Sequence, residues 1–143
     1  MSFDLYIANA ITWAKARVNS PEYAFKCLAF VEDAYEESNN VEIFGGSTAK
    51  ESADQYNASE NAGFPPPGAF VFYDASGTLF NEYKNYGHVG LHIGDGDVVH
   101  VWDRIRIDNY LELENLSSAP GWSNPKYIGW TPAERIFAGY RKK

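Results

Sequence analysis

The chain has a single cysteine in 143 residues, Cys27, so neither an internal disulfide nor a multi-cysteine zinc cage can form. It is also short of positive charge. Twelve Lys and Arg stand against 19 Asp and Glu, a formal net charge of −7. No basic patch is large enough to track a phosphate backbone, which argues against nucleic acid as a partner. No stretch approaches 18 consecutive apolar residues, so no membrane span is expected. The N-terminal segment carries Asp4, Lys15 and Arg17 within a helical pattern and lacks the basic-then-apolar layout of a secretory signal, so synthesis in the cytoplasm is expected. Phe44-Gly45-Gly46 lacks the lysine and the spacing of a phosphate loop. What remains is ordinary for a folded domain: 45% hydrophobic, 22% charged and 16% aromatic residues. A chain of this length fits one domain over residues 1–143 and can bury enough surface to fold without a metal or a disulfide.

The two halves of the chain differ in pattern. Leu5, Ala8, Ile11, Trp13, Ala14 and Val18 follow a helical period, which predicts an amphipathic helix near residues 3–18. Ser20-Pro21 reads as a cap and first position for a second helix, from Tyr23 or from near Cys27 to Ser38. Ser47 or Thr48 starts a short third helix through about Tyr56. After the rigid turn Phe64-Pro-Pro-Pro-Gly68 the pattern turns to strands: residues 69–73, 88–93, 97–102, 104–110 and a last one at 127–130. Residues 74–87 and 113–125 read as loops, and the C-terminus as a polar tail. Helices first and an antiparallel sheet afterwards predict a single α+β domain.

One thiol and three imidazoles, His88, His92 and His100, carry the candidate chemistry. A cysteine hydrolase needs a thiolate, a histidine to share its proton, and a polar group to fix that histidine's tautomer. Phe30, Val31, Ala34 and Tyr35 lie three, four, seven and eight residues after Cys27, so one helix stripe carries the cysteine at its start and packs on the sheet behind it. A helix starting at Cys27 lowers the thiol pKa through its dipole and offers N–H groups to an oxyanion. His88, Gly90 and His92 share one strand face. The turn decides the rest. A two-residue Asp95-Gly96 turn sets Asp103 opposite His88 and sends His100 to the far face. A three-residue Gly94-Asp95-Gly96 loop sets His100 opposite Gly90, which leaves a gap between the imidazoles for the cysteine helix. The first register builds Cys–His–Asp and the second Cys–His–His.

Cys27-Leu-Ala-Phe-Val, Pro67-Gly-Ala-Phe-Val-Phe, His88-Val-Gly-Leu-His-Ile-Gly-Asp-Gly-Asp-Val-Val-His100 and Tyr127-Ile-Gly-Trp together resemble the NlpC family of papain-like cysteine peptidases, over about residues 23–130. The most specific part is the segment from His88 to His100 with its 12-residue spacing, and the order Cys before His also matches. The resemblance implies a papain-like α+β fold with N-terminal helices on a C-terminal antiparallel sheet. It implies Cys27 as nucleophile, His88 as general base then acid, and His100 as the orienting residue. Tyr23, upstream of the nucleophile, matches a tyrosine that lines the family's substrate pocket. Members commonly cleave amide bonds in peptidoglycan stem peptides, so the resemblance implies a cell-wall endopeptidase. An N-acetylmuramoyl-L-alanine amidase or an acyltransferase on the same thiol is the alternative; a binding module that has lost catalysis is another. Two departures bear on specificity. The family's Asp-Cys-Ser-Gly reads Lys26-Cys27-Leu28-Ala29 here, and an Asp usual after the Pro-Gly is Ala69.

The other residues carry less. Trp102 shares the His100 face and is expected to floor the substrate cleft or pack in the core. His92 lacks a third ligand for catalytic zinc and is expected to be structural or a pocket wall. Asp95, Asp97 and Asp103 could suggest calcium, but Asp-Gly-Asp at a hairpin tip reads as turn chemistry first. No metal and no cofactor are expected. The expected partner is a peptidoglycan stem peptide, reached by secretion or delivery, from a phage included, with a partner or neighbouring domain supplying wall attachment.

Overall fold

The computed structural model describes residues 3–143. The described residues form four α-helices, α1 (Asp4–Lys15), α2 (Cys27–Asn39), α3 (Ala49–Gln55) and α4 (Ala133–Ile136). They also form nine strands, β1 (Val41–Glu42), β2 (Phe70–Asp74), β3 (Ser76–Leu79), β4 (Glu82–Asn85), β5 (His88–Gly94), β6 (Asp97–Val101), β7 (Ile105–Asn109), β8 (Lys126–Thr131) and β9 (Arg141–Lys142). The central sheet runs β7-β6-β5-β2-β8 with every neighbour antiparallel. This is the α+β arrangement, helices packed on an antiparallel sheet, that the sequence predicts.

The sheet's two faces do different work. Phe70, Phe72, Val89, Leu91, Val99 and Val101 form one buried cluster with α1 and α2, into which α2 sends Phe30, Val31, Ala34 and Tyr35. Each large side chain buried there contributes about 1.5–3 kcal/mol. The Tyr35 hydroxyl donates to the Gly68 carbonyl at 2.6 Å and ties α2 to the turn before β2. Val71, Tyr73 and Val98 point to the opposite face and meet Leu113. By the two-residue period of a strand, His88 and His100 lie on this second face.

Several boundaries differ from the sequence reading. α1 stops at Lys15, and Leu5 is exposed. Ser20 does not cap a helix. Its hydroxyl accepts from the Glu22 N–H at 3.1 Å in a local turn, and Tyr23 and Phe25 take left-handed φ of 67° and 61°, so α2 begins only at Cys27. Thr48 caps α3 as expected, accepting from the Glu51 N–H at 3.1 Å. Residues 74–87, read as a loop, hold the β3–β4 hairpin, whose turn is Phe80-Asn81. Phenylalanine is a poor residue for the positive φ this turn demands, which is why the sequence hid it. The C-terminal tail is also structured: α4 packs on the core through Ile136, and β9 pairs with β1.

Candidate active site

Cys27 is the first residue of α2, where the backbone N–H groups have no partner within the helix. The N–H groups of Val89, Leu28 and Cys27 itself face the sulfur and pull its pKa down, but burial outweighs them and holds the thiol above its ordinary value. The expectation of a depressed thiol pKa is therefore overturned by desolvation. Cys27 opens on a cavity of about 800 Å³ that is also lined by His88 and Trp102. Cys27 starts α2 and His88 starts β5, and the N–H of Val89, next to His88, faces the Cys27 sulfur.

The hairpin between β5 and β6 combines the two registers considered above. Its tip is the two-residue Asp95-Gly96 turn, with φ of 56° and 84° and Gly94 paired to Asp97. A bulge between His92 and Gly94 then shifts the ladder by one residue, so that Leu91 pairs with Val99. Beyond the bulge the strands follow the register of the three-residue loop, and Gly90 lies against His100. A Cβ on Gly90 would stand 3.0 Å from the His100 Cβ and 2.2 Å from the Val98 Cγ1. The space beside Gly90 is thus filled by β6 rather than by the cysteine helix, which packs on the other face of the sheet. His88 Nε2 and His100 Nδ1 are 2.9 Å apart, and both residues are buried. Burial pushes the His88 pKa well below the ordinary value, with His100 adding to the effect; burial also lowers His100.

The polar chain does not end at His100. Its Nε2 lies 2.7 Å from Asp108 Oδ2, on β7. Arg106 Nε pairs with the same oxygen at 2.9 Å, and Arg106 Nη1 reaches Asp103 Oδ1 at 3.2 Å. Asp108 was not among the residues singled out from the sequence. Its signal was the alternation Arg106-Ile107-Asp108, but only the β6–β7 register, with His100 opposite Arg106, makes Asp108 a diagonal neighbour of the imidazole. Asp103, the alternative third residue, is exposed and bonded to Arg104 at 2.6 Å. His100→Ala should accordingly lower kcat at least tenfold more than Asp103→Asn does, measured with one substrate at one pH. The reverse order would return the third role to Asp103.

Residues 12–119 match the NlpC/P60 family. The chain belongs to the NlpC/P60 family. This family is one of cysteine peptidases and hydrolases associated with the cell wall. No curated protein matches the chain. The structure of NlpC1 from Trichomonas vaginalis is similar, at 17% identity and a TM-score of 0.52. That match covers 85% of this chain and 43% of the other, so this chain spans less than half of that protein and the likeness speaks to the fold.

The remaining site residues of this NlpC/P60 chain divide. Trp102 lines the cavity, sets its ring edge-on to His88 at 5.2 Å, and donates its indole N–H to the Ser117 carbonyl at 3.1 Å. Tyr23 does not line the cavity. Its hydroxyl donates to Asp33 at 2.7 Å and its ring packs against Trp13 and Phe30. His92 is fully buried, accepts from the Gly96 N–H at 2.9 Å and holds the hairpin tip. No helix among the described residues is long and apolar enough to cross a membrane.

Lys26 and Glu32 are among the charged residues that line the cavity. Lys26 is exposed, while Glu32, on α2, is half-buried. Burial, with Glu36 and Asp33 nearby, pushes the Glu32 carboxyl up to about 7. A carboxyl with a raised folded pKa supports the fold fully below its unfolded value, and that support is lost as pH rises through about 7. Glu32→Gln should therefore raise the melting temperature at pH 8 and leave it nearly unchanged at pH 5. With partial exposure allowed for, the gain at pH 8 is about 1–2 kcal/mol. Thermal melts at the two pH values check it.

Proposed function

We propose that this chain is a cysteine-dependent hydrolase that cuts an amide bond in a peptidoglycan stem peptide. In this reading Cys27 is the nucleophile, His88 the general base then acid, and His100 the residue that orients His88. The observation that carries it is a lone thiol at a helix start lining the same cavity as His88, whose Nε2 lies 2.9 Å from Nδ1 of the buried His100. Both partners are uncharged at rest, because burial raises the thiol pKa and lowers that of His88. His88 therefore takes the thiol proton as sulfur attacks the carbonyl carbon, rather than holding it beforehand. The N–H groups of Cys27 and Leu28 stand at the helix start, where they can meet the developing oxyanion. The tetrahedral intermediate collapses, the C–N bond breaks, and His88 gives its proton to the leaving amine. Water then attacks the thioester with His88 again as base, releasing a carboxylate and restoring the thiol.

The lining of the cavity supports a second reading on the same thiol. Leu28, Leu79, Phe25, Phe80 and Trp122 make its walls largely apolar, and Phe25 and Phe80 are exposed at 84% and 96%. Such walls suit an apolar acyl group, whose transfer or hydrolysis would use the same thioester. Digestion of purified peptidoglycans of two stem-peptide types, with mass spectrometry of the fragments, separates the readings. A new amine at one defined stem-peptide linkage is expected. Release at the sugar–peptide bond would make the chain an amidase. Turnover of long-chain but not short-chain acyl esters, with both walls intact, would select the acyl reading.

A further inference from the structure

We infer that Asp108 is the positioning residue that fixes the tautomers of His100 and His88, leaving Nδ1 of His88 as the bare base for the thiol. The inference rests on the thiol-hydrolase reading for its effect on rate, and on geometry alone for the proton positions. An ionised carboxylate only accepts hydrogen bonds. Asp108 is kept in that form by the His100 N–H first and by Arg106, which together hold its pKa below the ordinary value. Arg106 is itself anchored on Asp103. The 2.7 Å contact between Asp108 Oδ2 and His100 Nε2 therefore places the imidazole proton on Nε2. A neutral imidazole has one N–H, so His100 Nδ1 is an acceptor. The only group within hydrogen-bond distance of that nitrogen, among the described residues, is His88 Nε2 at 2.9 Å, which must donate. His88 then carries its proton on Nε2, and Nδ1 keeps its lone pair. Burial of both rings favours this neutral arrangement.

Removing the carboxylate releases the whole chain of assignments. With no acceptor at position 108, His100 can move its proton to Nδ1, turn donor toward His88, and drive the His88 proton onto Nδ1, where it blocks the base. A wrong tautomer in a related nucleophile–histidine–aspartate arrangement costs about 10⁴ in kcat. Because the Asp108→Ala ring samples both tautomers, its expected loss in kcat is about 10²-fold or more, with KM within about threefold of wild type. Asp108→Asn, whose carbonyl can take the place of Oδ2, should recover part of the rate. Long-range ¹H–¹⁵N spectra of imidazole-labelled protein read the protons directly. Both His88 and His100 are expected as the Nε2–H tautomer in the wild type, and His88 is expected to show Nδ1–H in Asp108→Ala. A wild-type His88 protonated on Nδ1 overturns the inference, whether or not any variant folds. So does an Asp108→Ala enzyme with kcat within threefold of wild type. If the wild-type spectrum is as expected and no substrate turns over, the hydrolase reading fails and the role of Asp108 in setting the tautomers stands.

Discussion

Cys27→Ala is expected to abolish turnover, by about 10⁴-fold or more, while costing the fold no more than about 1 kcal/mol. The asymmetry follows from what the side chain does. Cys27 is partly buried against the core and lines the cavity, and alanine removes only its sulfur atom, so the packing lost is small. Alanine is also the best helix former, and α2 is held by Phe30, Val31, Ala34 and Tyr35 further along. Turnover, by contrast, needs a nucleophile that nothing else supplies, since Cys27 is the only thiol in the chain. Thermal melts and a peptidoglycan digest on the same preparation check both halves. A variant that unfolds would make Cys27 a core residue, and a variant that still cuts would remove the thiol from the chemistry. Wild-type protein without activity on any wall or ester would favour the binding module.

Gly90→Ala should damage fold and site together. A Cβ there would stand 2.2 Å from the Val98 Cγ1, a distance no real contact tolerates, and 3.0 Å from the His100 Cβ. Val98 is fully buried and β-branched, so it has little room to turn aside. Overpacking of this kind costs about 1–3 kcal/mol. The shift is taken up by β6, which carries His100, so kcat should fall at least tenfold in the fraction that remains folded. Val98→Ala supplies the missing volume. The double variant Gly90→Ala/Val98→Ala should therefore be more stable than the sum of the two single losses implies, a coupling that a double-mutant cycle measures. Simple additivity would mean that the two positions do not compete for the same space.

Much of the frame could be read before any coordinates. The stripe behind Cys27 follows from helical spacing, and all four of its apolar members are buried against the sheet. The strands at 88–94, 97–101 and 105–109 follow from alternation and from the glycines of the turn. Other parts resisted for local reasons. The second hairpin turns on Phe80-Asn81 rather than on Asn-Gly, and the segment before Cys27 looks helical but breaks at Tyr23 and Phe25. Tyr23 sits close to Cys27 in the chain, yet its hydroxyl is directed to Asp33.

The sequence by itself determined the chemical inventory: one thiol, three imidazoles, no disulfide, and a spacing of 12 residues between His88 and His100. It also determined that Cys27 starts an apolar helix stripe, since periodicity is a local property of the chain. The tertiary structure decided which groups meet. The bulge after His92 selects His100 over Asp103, because one extra residue flips every side chain beyond it to the other face. The β6–β7 register brings Asp108 to His100, because cross-strand neighbours depend on pairing and not on separation in the chain. Desolvation in the folded site reverses the expected direction of the thiol pKa, because a helix N-terminus lowers it only while burial does not cost more.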